Sequence, residues 1–132
     1  MLTRKCEDLN CIAFALALLF MPAIEGCGEA SGLPDPLEAG WKGNTVCVVA
    51  EESPSVRVLK CTFPPGVGHE KHFHKPHVAY VLAGSTFQVR DTNGVREVVM
   101  NTGSHYYSAG VVWHEALNIG DSTAMFLIIE PK

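Results

Sequence analysis

The fold of this chain is decided by residues 66–84, GVGHEKHFHKPHVAYVLAG, which hold four of the six histidines in the sequence. The segment opens with a glycine-rich turn and ends in an apolar, β-branched run, a pattern that predicts two short strands separated by Lys75-Pro76. Side chains at positions i and i+2 of a strand share a face, so an extended chain places Glu70, His72 and His74 on one side. Two imidazoles so placed can chelate one metal ion.

Two further histidines can join this pair. His77 has the opposite parity to His74, but the intervening proline permits a bend, so that His77 can open the next strand facing the same ion. His114 lies in the strand-like run VVWHEALN, residues 111–118, which follows a glycine turn. The sequence therefore predicts a metal site built from two separate segments.

The remainder of the chain beyond residue 30 is also predicted to be strands. No window has the 3.6-residue periodicity of an amphipathic helix, whereas short β-branched and aromatic runs recur between turn residues. Asn93-Gly94 is the strongest hairpin signal, because both residues tolerate positive φ. This spacing of short strands predicts an all-β sandwich or barrel. The predicted strands are Thr45–Ala50, Val56–Phe63, Val78–Leu82, Thr86–Arg90, Arg96–Met100, His105–Tyr107, Val111–Leu117 and Thr123–Glu130.

The histidine segment resembles the first motif of the small single-domain cupins. That motif is a glycine, five residues, H-x-H, a short gap, a glutamate, six residues and a glycine. Gly66, His72-Phe73-His74 and Gly84 match it, and His77 stands where the family has its glutamate.

A second cupin motif is matched further along the chain. It consists of a glycine, a spacer, P-x-G, two residues, a histidine, three residues and an asparagine. Gly103 opens it, residues 108–110 stand at P-x-G with serine for proline, and His114 follows with one extra residue. Asn118 completes the motif, and the resemblance covers roughly residues 44–131.

The resemblance implies a double-stranded β-helix, or jelly roll, with a metal ion inside the barrel. Carried over by position, the ligands are His72, His74, His77 and His114. Replacement of the family's glutamate by His77 removes the carboxylate of a two-histidine, one-carboxylate site. The expected cofactor is one divalent metal ion, and Fe, Zn, Ni, Cu and Mn all remain open.

Other polar residues near the motifs are candidates for supporting contacts. Glu70 could restore a carboxylate to the metal, Tyr80 could line a substrate pocket or belong to the core, and Asn118 could orient His114 or bond the backbone. His69 and His105 match no ligand position and are interpreted as surface or rim histidines.

Two classes of function are consistent with such a site. The first is a non-haem metal-dependent, dioxygenase-like enzyme that acts on a small organic acid or thiol. The alternative is a non-catalytic exported cupin module that binds a metal or a small ligand. Three protein ligands favour the enzyme and four favour the binding module. The net charge of −4 argues against nucleic acid as a partner, and monomer or homodimer stays open.

The N-terminal region is predicted to be an export signal. The apolar run over residues 11–24 is too short to span a bilayer and follows Arg4-Lys5, as in signal peptides. Lipidation at Cys27, which would anchor the chain to a membrane, and cleavage after Ala30 both remain open.

We therefore divide the chain into a signal peptide (1–27), a linker (28–43) and a cupin domain (44–132). The predicted location is the periplasm, the outer membrane or the cell surface. Cys47 and Cys61 would remain in the mature domain, in a compartment that permits disulfides. Whether they pair depends on strand register, which the sequence leaves open.

Overall fold

The computed structural model describes residues 32–132, and all regular elements within that range are β-strands. This confirms the all-β prediction, and each predicted strand has a counterpart. None of the described residues forms a helix long and apolar enough to cross a membrane. The strands are β1 (Gly40–Trp41), β2 (Asn44–Thr45), β3 (Cys47–Glu52), β4 (Val56–Phe63), β5 (Gly68–His74), β6 (His77–Ala83), β7 (Ser85–Asp91), β8 (Gly94–Met100), β9 (His105–Ser108), β10 (Val111–Asn118) and β11 (Ala124–Pro131).

Two antiparallel sheets form the domain, and β1 pairs with β2 in a small separate ribbon. One sheet has the order β5-β10-β7-β8 and the other has the order β3-β4-β11-β6-β9. Strands β6 and β11 alternate between buried and more exposed residues, as expected when one sheet face packs on a core. The buried cluster draws on both sheets and includes Leu59, Cys61, Phe63, Val81, Phe87, Val89, Phe126 and Ile128.

The hairpin predicted at Asn93-Gly94 is confirmed. Asp91 pairs with Gly94, so that β7 and β8 are joined by Thr92 and Asn93. Gly94 has a φ of 110°, a value that L-residues with side chains rarely adopt. Asp91 Oδ1 accepts a hydrogen bond from the Asn93 backbone N–H at 2.8 Å, which fixes the tip of the hairpin.

A disulfide joins Cys47 of β3 to Cys61 of β4. The two residues are direct partners in the antiparallel register, with their Cα atoms 4.0 Å apart. The structure thus supplies the register that the sequence left open. The bond ties edge strand β3 to the barrel core, because Cys47 and Cys61 are both buried.

Residues 32–43, here called the N-terminal arm, lie in the segment predicted as a linker, and they pack against the barrel. Arg57 donates to Asp35 of the arm at 2.9 Å and to the buried Glu130 at 2.7 Å. The ring of Trp41 lies so close to Gly68 that a Cβ there would come within 2.7 Å of it. The predicted signal peptide lies outside the described residues.

Candidate metal centre

Two β-bulges set the orientation of the histidines where β5 pairs with β10. Between Val111 and His114, β10 has one residue more than the facing part of β5. Between His72 and His69, β5 in turn has the extra residue. A bulge interrupts the alternation of faces and re-aims the side chains beside it, and here His72 and His114 become direct partners.

The bulge in β5 overturns two predictions. Glu70 was expected to share a face with His72 and His74, but it is exposed, and its carboxylate accepts a hydrogen bond from the Lys42 backbone N–H at 2.8 Å. His69, expected at the surface, is buried with 5% exposure and occupies an inward position. The reason is that two consecutive residues, Glu70 and Lys71, face outward before the alternation resumes.

Three imidazoles converge inside the barrel, and we call His72, His74 and His114 the histidine triad. The Nε2 atom of His74 lies 2.9 Å from that of His72 and 3.1 Å from that of His114. The third side of this triangle, between His114 and His72, measures 3.0 Å. These residues form the one group of metal-ligating side chains found among residues 32–132.

The protonation state of the triad follows from its neighbours. His72 Nδ1 lies 2.6 Å from the backbone carbonyl of Glu70, which can only accept, so Nδ1 carries the proton and Nε2 presents its lone pair. His74 Nδ1 is buried and has no hydrogen-bond partner. His72 Nε2 can accept a hydrogen bond from either of the other two imidazoles, whereas one cation can be bound by all three Nε2 atoms at once. The donor set therefore fits a divalent metal ion.

Burial keeps these histidines neutral. It lowers the pKa of His114 to about 3, with the neighbouring His72 as the next cause. Burial likewise lowers the pKa of His72 and of His74. Neutral imidazole is the form that ligates metals, so the triad is ready to bind at neutral pH.

A cavity of about 400 Å³ adjoins the triad inside the barrel. Its walls are largely apolar and aromatic, with His74 and His114 on one side and the charged residues Asp91 and Arg96 also lining it. Cavities of this size and composition are typical of small-molecule sites. The apolar wall includes Phe63, Phe87, Val89, Val98, Met100, Phe126 and Ile128.

No protein-family model and no curated protein sequence matches the chain. Solved structures do match it. A cupin domain from Bordetella pertussis Tohama I has a TM-score of 0.63 and 24% identity, over 76% of this chain and 99% of that one. The chain has the cupin fold. A cupin superfamily protein from Desulfitobacterium hafniense DCB-2 is also similar, with a TM-score of 0.51 and 10% identity over 64% of this chain and 74% of that one. At these identities the likeness concerns the fold alone, and it agrees with the resemblance found in the two motifs.

His77, the fourth predicted ligand, lies beside the triad. Its ring packs on that of His74, with centroids 4.5 Å apart and planes 32° apart. His77 Nδ1 donates to the Lys75 carbonyl at 2.8 Å. The ligand atoms of the histidine triad all lie within 4.8 Å of one another, and His77 does not belong to this group. Coordination of the metal by His77 therefore stays a prediction.

His69 is a contact of the metal centre that the sequence did not reveal. Its Nε2 lies 3.0 Å from the Pro36 carbonyl and 3.2 Å from the Ala39 carbonyl, so it donates to the N-terminal arm. Its ring packs on that of His72, with centroids 3.8 Å apart. The available signal was the pair of adjacent charged residues Glu70 and Lys71. Two consecutive charges break the alternation of a strand and indicate that His69 and His72 can face the same side.

Two other predicted residues lie outside the cavity. Tyr80 is on the outer face of β6 with 38% exposure, because the inward positions of that strand are His77, Ala79 and Val81. Its expected place in the pocket or the core is therefore wrong. Asn118 is fully buried, but its hydrogen bonds go to Phe63, Ser85, Gly120 and Ser122, so it stabilises backbone and does not orient His114. His105 is exposed, as predicted.

Proposed function

We propose that this cupin binds one divalent transition-metal ion on the Nε2 atoms of His72, His74 and His114. We further propose that it uses this ion to transform a small molecule held in the adjoining cavity. The observation that carries the proposal is the triangle of Nε2 atoms, with sides of 2.9 to 3.1 Å, next to a cavity of about 400 Å³. Such a metal would supply Lewis-acid catalysis or, if redox-active, the chemistry of non-haem dioxygenases.

The protein's own residues prepare this site in three ways. The Glu70 carbonyl fixes the tautomer of His72, so that its Nε2 needs no proton loss before binding. The ring of His69 packs on one side of the His72 ring and restrains its orientation. The apolar wall excludes water and favours the apolar part of a small organic ligand.

A three-histidine site favours an enzyme, because coordination positions remain for a substrate and for water. The second candidate is a closed, non-catalytic metal-binding module, and the observation that favours it is His77. Its ring lies 4.5 Å from that of His74 and lines the same cavity. If His77 rotates onto the metal, the site has four protein ligands and behaves as a storage or sensing site.

Metal analysis of the full chain tests the proposal. We expect about one metal ion per chain after equilibration with Fe(II), Zn(II), Ni(II), Cu(II) or Mn(II). The double variant His72→Ala, His114→Ala should lose it, and His105→Ala, which removes an exposed histidine of β9, should keep it. Full metal content in the double variant would overturn the assignment. Loss of metal in His77→Ala would favour the closed site, and retention would favour the three-histidine site.

Oxygen uptake tests the enzymatic part separately. The Fe(II)-loaded chain should consume O₂ when mixed with one member of a panel of small organic acids and thiols. The His72→Ala, His114→Ala variant serves as the blank, because it keeps the cavity and lacks the proposed ligands. Metal binding without turnover of any panel member would support the binding module.

We also propose that the chain is exported. The Cys47–Cys61 disulfide supports this location, since stable disulfides belong to oxidising compartments. The intact mass of the protein from its native host tests it. A mature chain that begins at Cys27 with added lipid, or at Ser31, would support export, and a chain that retains Met1 would contradict it.

A further inference from the structure

Arg96 is the sole lysine or arginine among the residues that line the cavity, and Asp91 is the sole acidic one. Arg96 is the direct partner of the buried Val89 across the β7–β8 pair, so it occupies an inward-facing position near the start of β8. The inward positions that follow on the same strand are Val98 and Met100, which are apolar. A single arginine on an otherwise apolar inner face places a positive charge where a ligand in the cavity can contact it.

Asp91 holds the guanidinium group in place. Its Oδ2 accepts a hydrogen bond from Arg96 Nη1 at 2.7 Å, while its Oδ1 is bound to the turn at Asn93. Asp91 is the one hydrogen-bond partner of the Arg96 side chain within residues 32–132, and that side chain is 51% exposed. Because a guanidinium group has five N–H donors in a planar fork, most of its binding capacity remains for a ligand.

This charged pair lies at the same level of the barrel as the triad. Asp91 is the direct partner of His114 in the β7–β10 register. A molecule that contacts both Arg96 and the triad is therefore short, and the rest of it meets the aromatic wall. Since Asp91 already neutralises part of the positive charge, the site suits a single anionic group better than a polyanion.

We propose that Arg96 binds the carboxylate of a small monocarboxylic acid whose apolar body fills the cavity. This inference rests on the proposed function, because it names the substrate class of the same site. The guanidinium fork matches a carboxylate in bidentate geometry. The phenylalanine-rich wall, with Phe63, Phe87 and Phe126, supplies a surface for an aliphatic or aromatic body.

Calorimetric titration of the metal-loaded full chain with phenylacetate and with phenylacetamide tests this assignment. The two probes have nearly the same shape, and only the first carries a charge. We expect phenylacetate to bind about 10- to 100-fold more tightly, the range that a hydrogen-bonded charge contributes. Arg96→Met should abolish this preference while leaving the metal content unchanged, and Arg96→Lys should retain part of it.

Arg90→Met is the matched control. It removes the same charge from the neighbouring strand, but Arg90 is outside the cavity lining and pairs with Glu115. We expect it to keep the preference for phenylacetate. Equal losses in Arg90→Met and Arg96→Met, or no binding of phenylacetate to the unmodified chain, would overturn the inference.

Metal content and the preference for phenylacetate are measured separately, so failure of this inference can be distinguished from failure of the proposed function. If the unmodified chain holds no metal yet prefers phenylacetate through Arg96, the metal assignment fails and the carboxylate site stands. If metal binds normally and the preference does not depend on Arg96, the carboxylate site fails and the metal assignment stands.

Discussion

Two polar groups on strand β10, the buried Asn118 and the partly buried His114, lie four residues apart and have opposite surroundings. Asn118 uses its whole amide: Oδ1 accepts from the Ser85 hydroxyl and the Gly120 N–H, and Nδ2 donates to the carbonyls of Phe63 and Ser122. His114 instead faces two other imidazole nitrogens at 3.0 and 3.1 Å.

The difference separates a structural polar group from a binding site. Burial of a polar group is costly unless it is hydrogen-bonded, so the amide of Asn118 stabilises the fold as it stands. The triad has no such set of partners within the fold, and a cation placed between its three Nε2 atoms could be bound by all of them. Changes at the two sites should therefore have different consequences, one for stability and the other for metal binding.

The largest expected effect is stabilisation by metal. At a metal concentration of about a thousand times Kd, the free energy of unfolding should rise by about 4 kcal/mol, because the unfolded chain lacks the assembled triad. Urea denaturation with and without metal measures this. The gain should vanish in His72→Ala, His114→Ala and persist in His105→Ala, and an equal gain in the double variant would place the metal elsewhere.

Next in size is the effect of Asn118→Ala on the metal-free chain. The substitution leaves the buried Phe63 carbonyl, the part-buried Ser122 carbonyl and two donors without this partner. We expect a loss of about 2–4 kcal/mol in the free energy of unfolding. Asn101→Ala, at an exposed turn, should change it by less than about 0.5 kcal/mol. Folded Asn118→Ala should still bind one metal ion, and loss of metal at intact fold would contradict the comparison.

The third prediction concerns the pH dependence of stability. The amide of Asn118 does not titrate, whereas the buried imidazoles do. Burial lowers the pKa of His69 and of His114 to about 3. Between that value and the ordinary histidine pKa of about 6.5, the unfolded chain binds protons that the folded chain does not. The stability of the metal-free chain should thus be complete above pH 6.5 and fall toward pH 3, by up to about 1.4 kcal/mol per pH unit for each such histidine.

Denaturation midpoints measured across this pH range provide the check. His69→Asn should reduce the slope, since it removes one of the titrating groups. His105→Asn should leave the slope unchanged, because His105 is exposed. A flat profile from pH 6.5 to pH 4 would mean that the buried histidines accept protons in the folded state.

The sequence predicted much of this architecture because strand periodicity and turn residues are local signals. The strands, the Asn93-Gly94 hairpin and the grouping of His72, His74 and His114 followed from alternation and motif spacing. Bulges are not local signals: they depend on how many residues each of two paired strands contributes. This is why His69 and Glu70 were assigned to the wrong faces.

Two further errors arose in applying the alternation itself. If His77 faces inward, strict alternation along β6 puts Tyr80 outside, as the structure has it. The same rule applied from the hairpin puts Arg96 opposite Val89 and therefore inside. Arg96 was missed because an isolated arginine in a strand is usually solvated, and its inward position becomes evident only from the register of the pair.

The smallest predicted effect concerns Asp91 and Arg96. Their hydrogen-bonding capacity is used more fully than that of the triad and less fully than that of Asn118. The pair is partly satisfied, because Asp91 uses one guanidinium nitrogen and leaves the rest. Asp91→Asn keeps a side-chain oxygen for the turn bond to Asn93 and removes the competing charge. Phenylacetate affinity should therefore rise, by up to about fivefold for a pair whose arginine is half exposed. Calorimetry measures this affinity. Asp121→Asn, a change at an exposed turn, is the control for the change in net charge. A fall in affinity would show that Asp91 serves mainly to orient Arg96, so that positioning outweighs charge competition at this site.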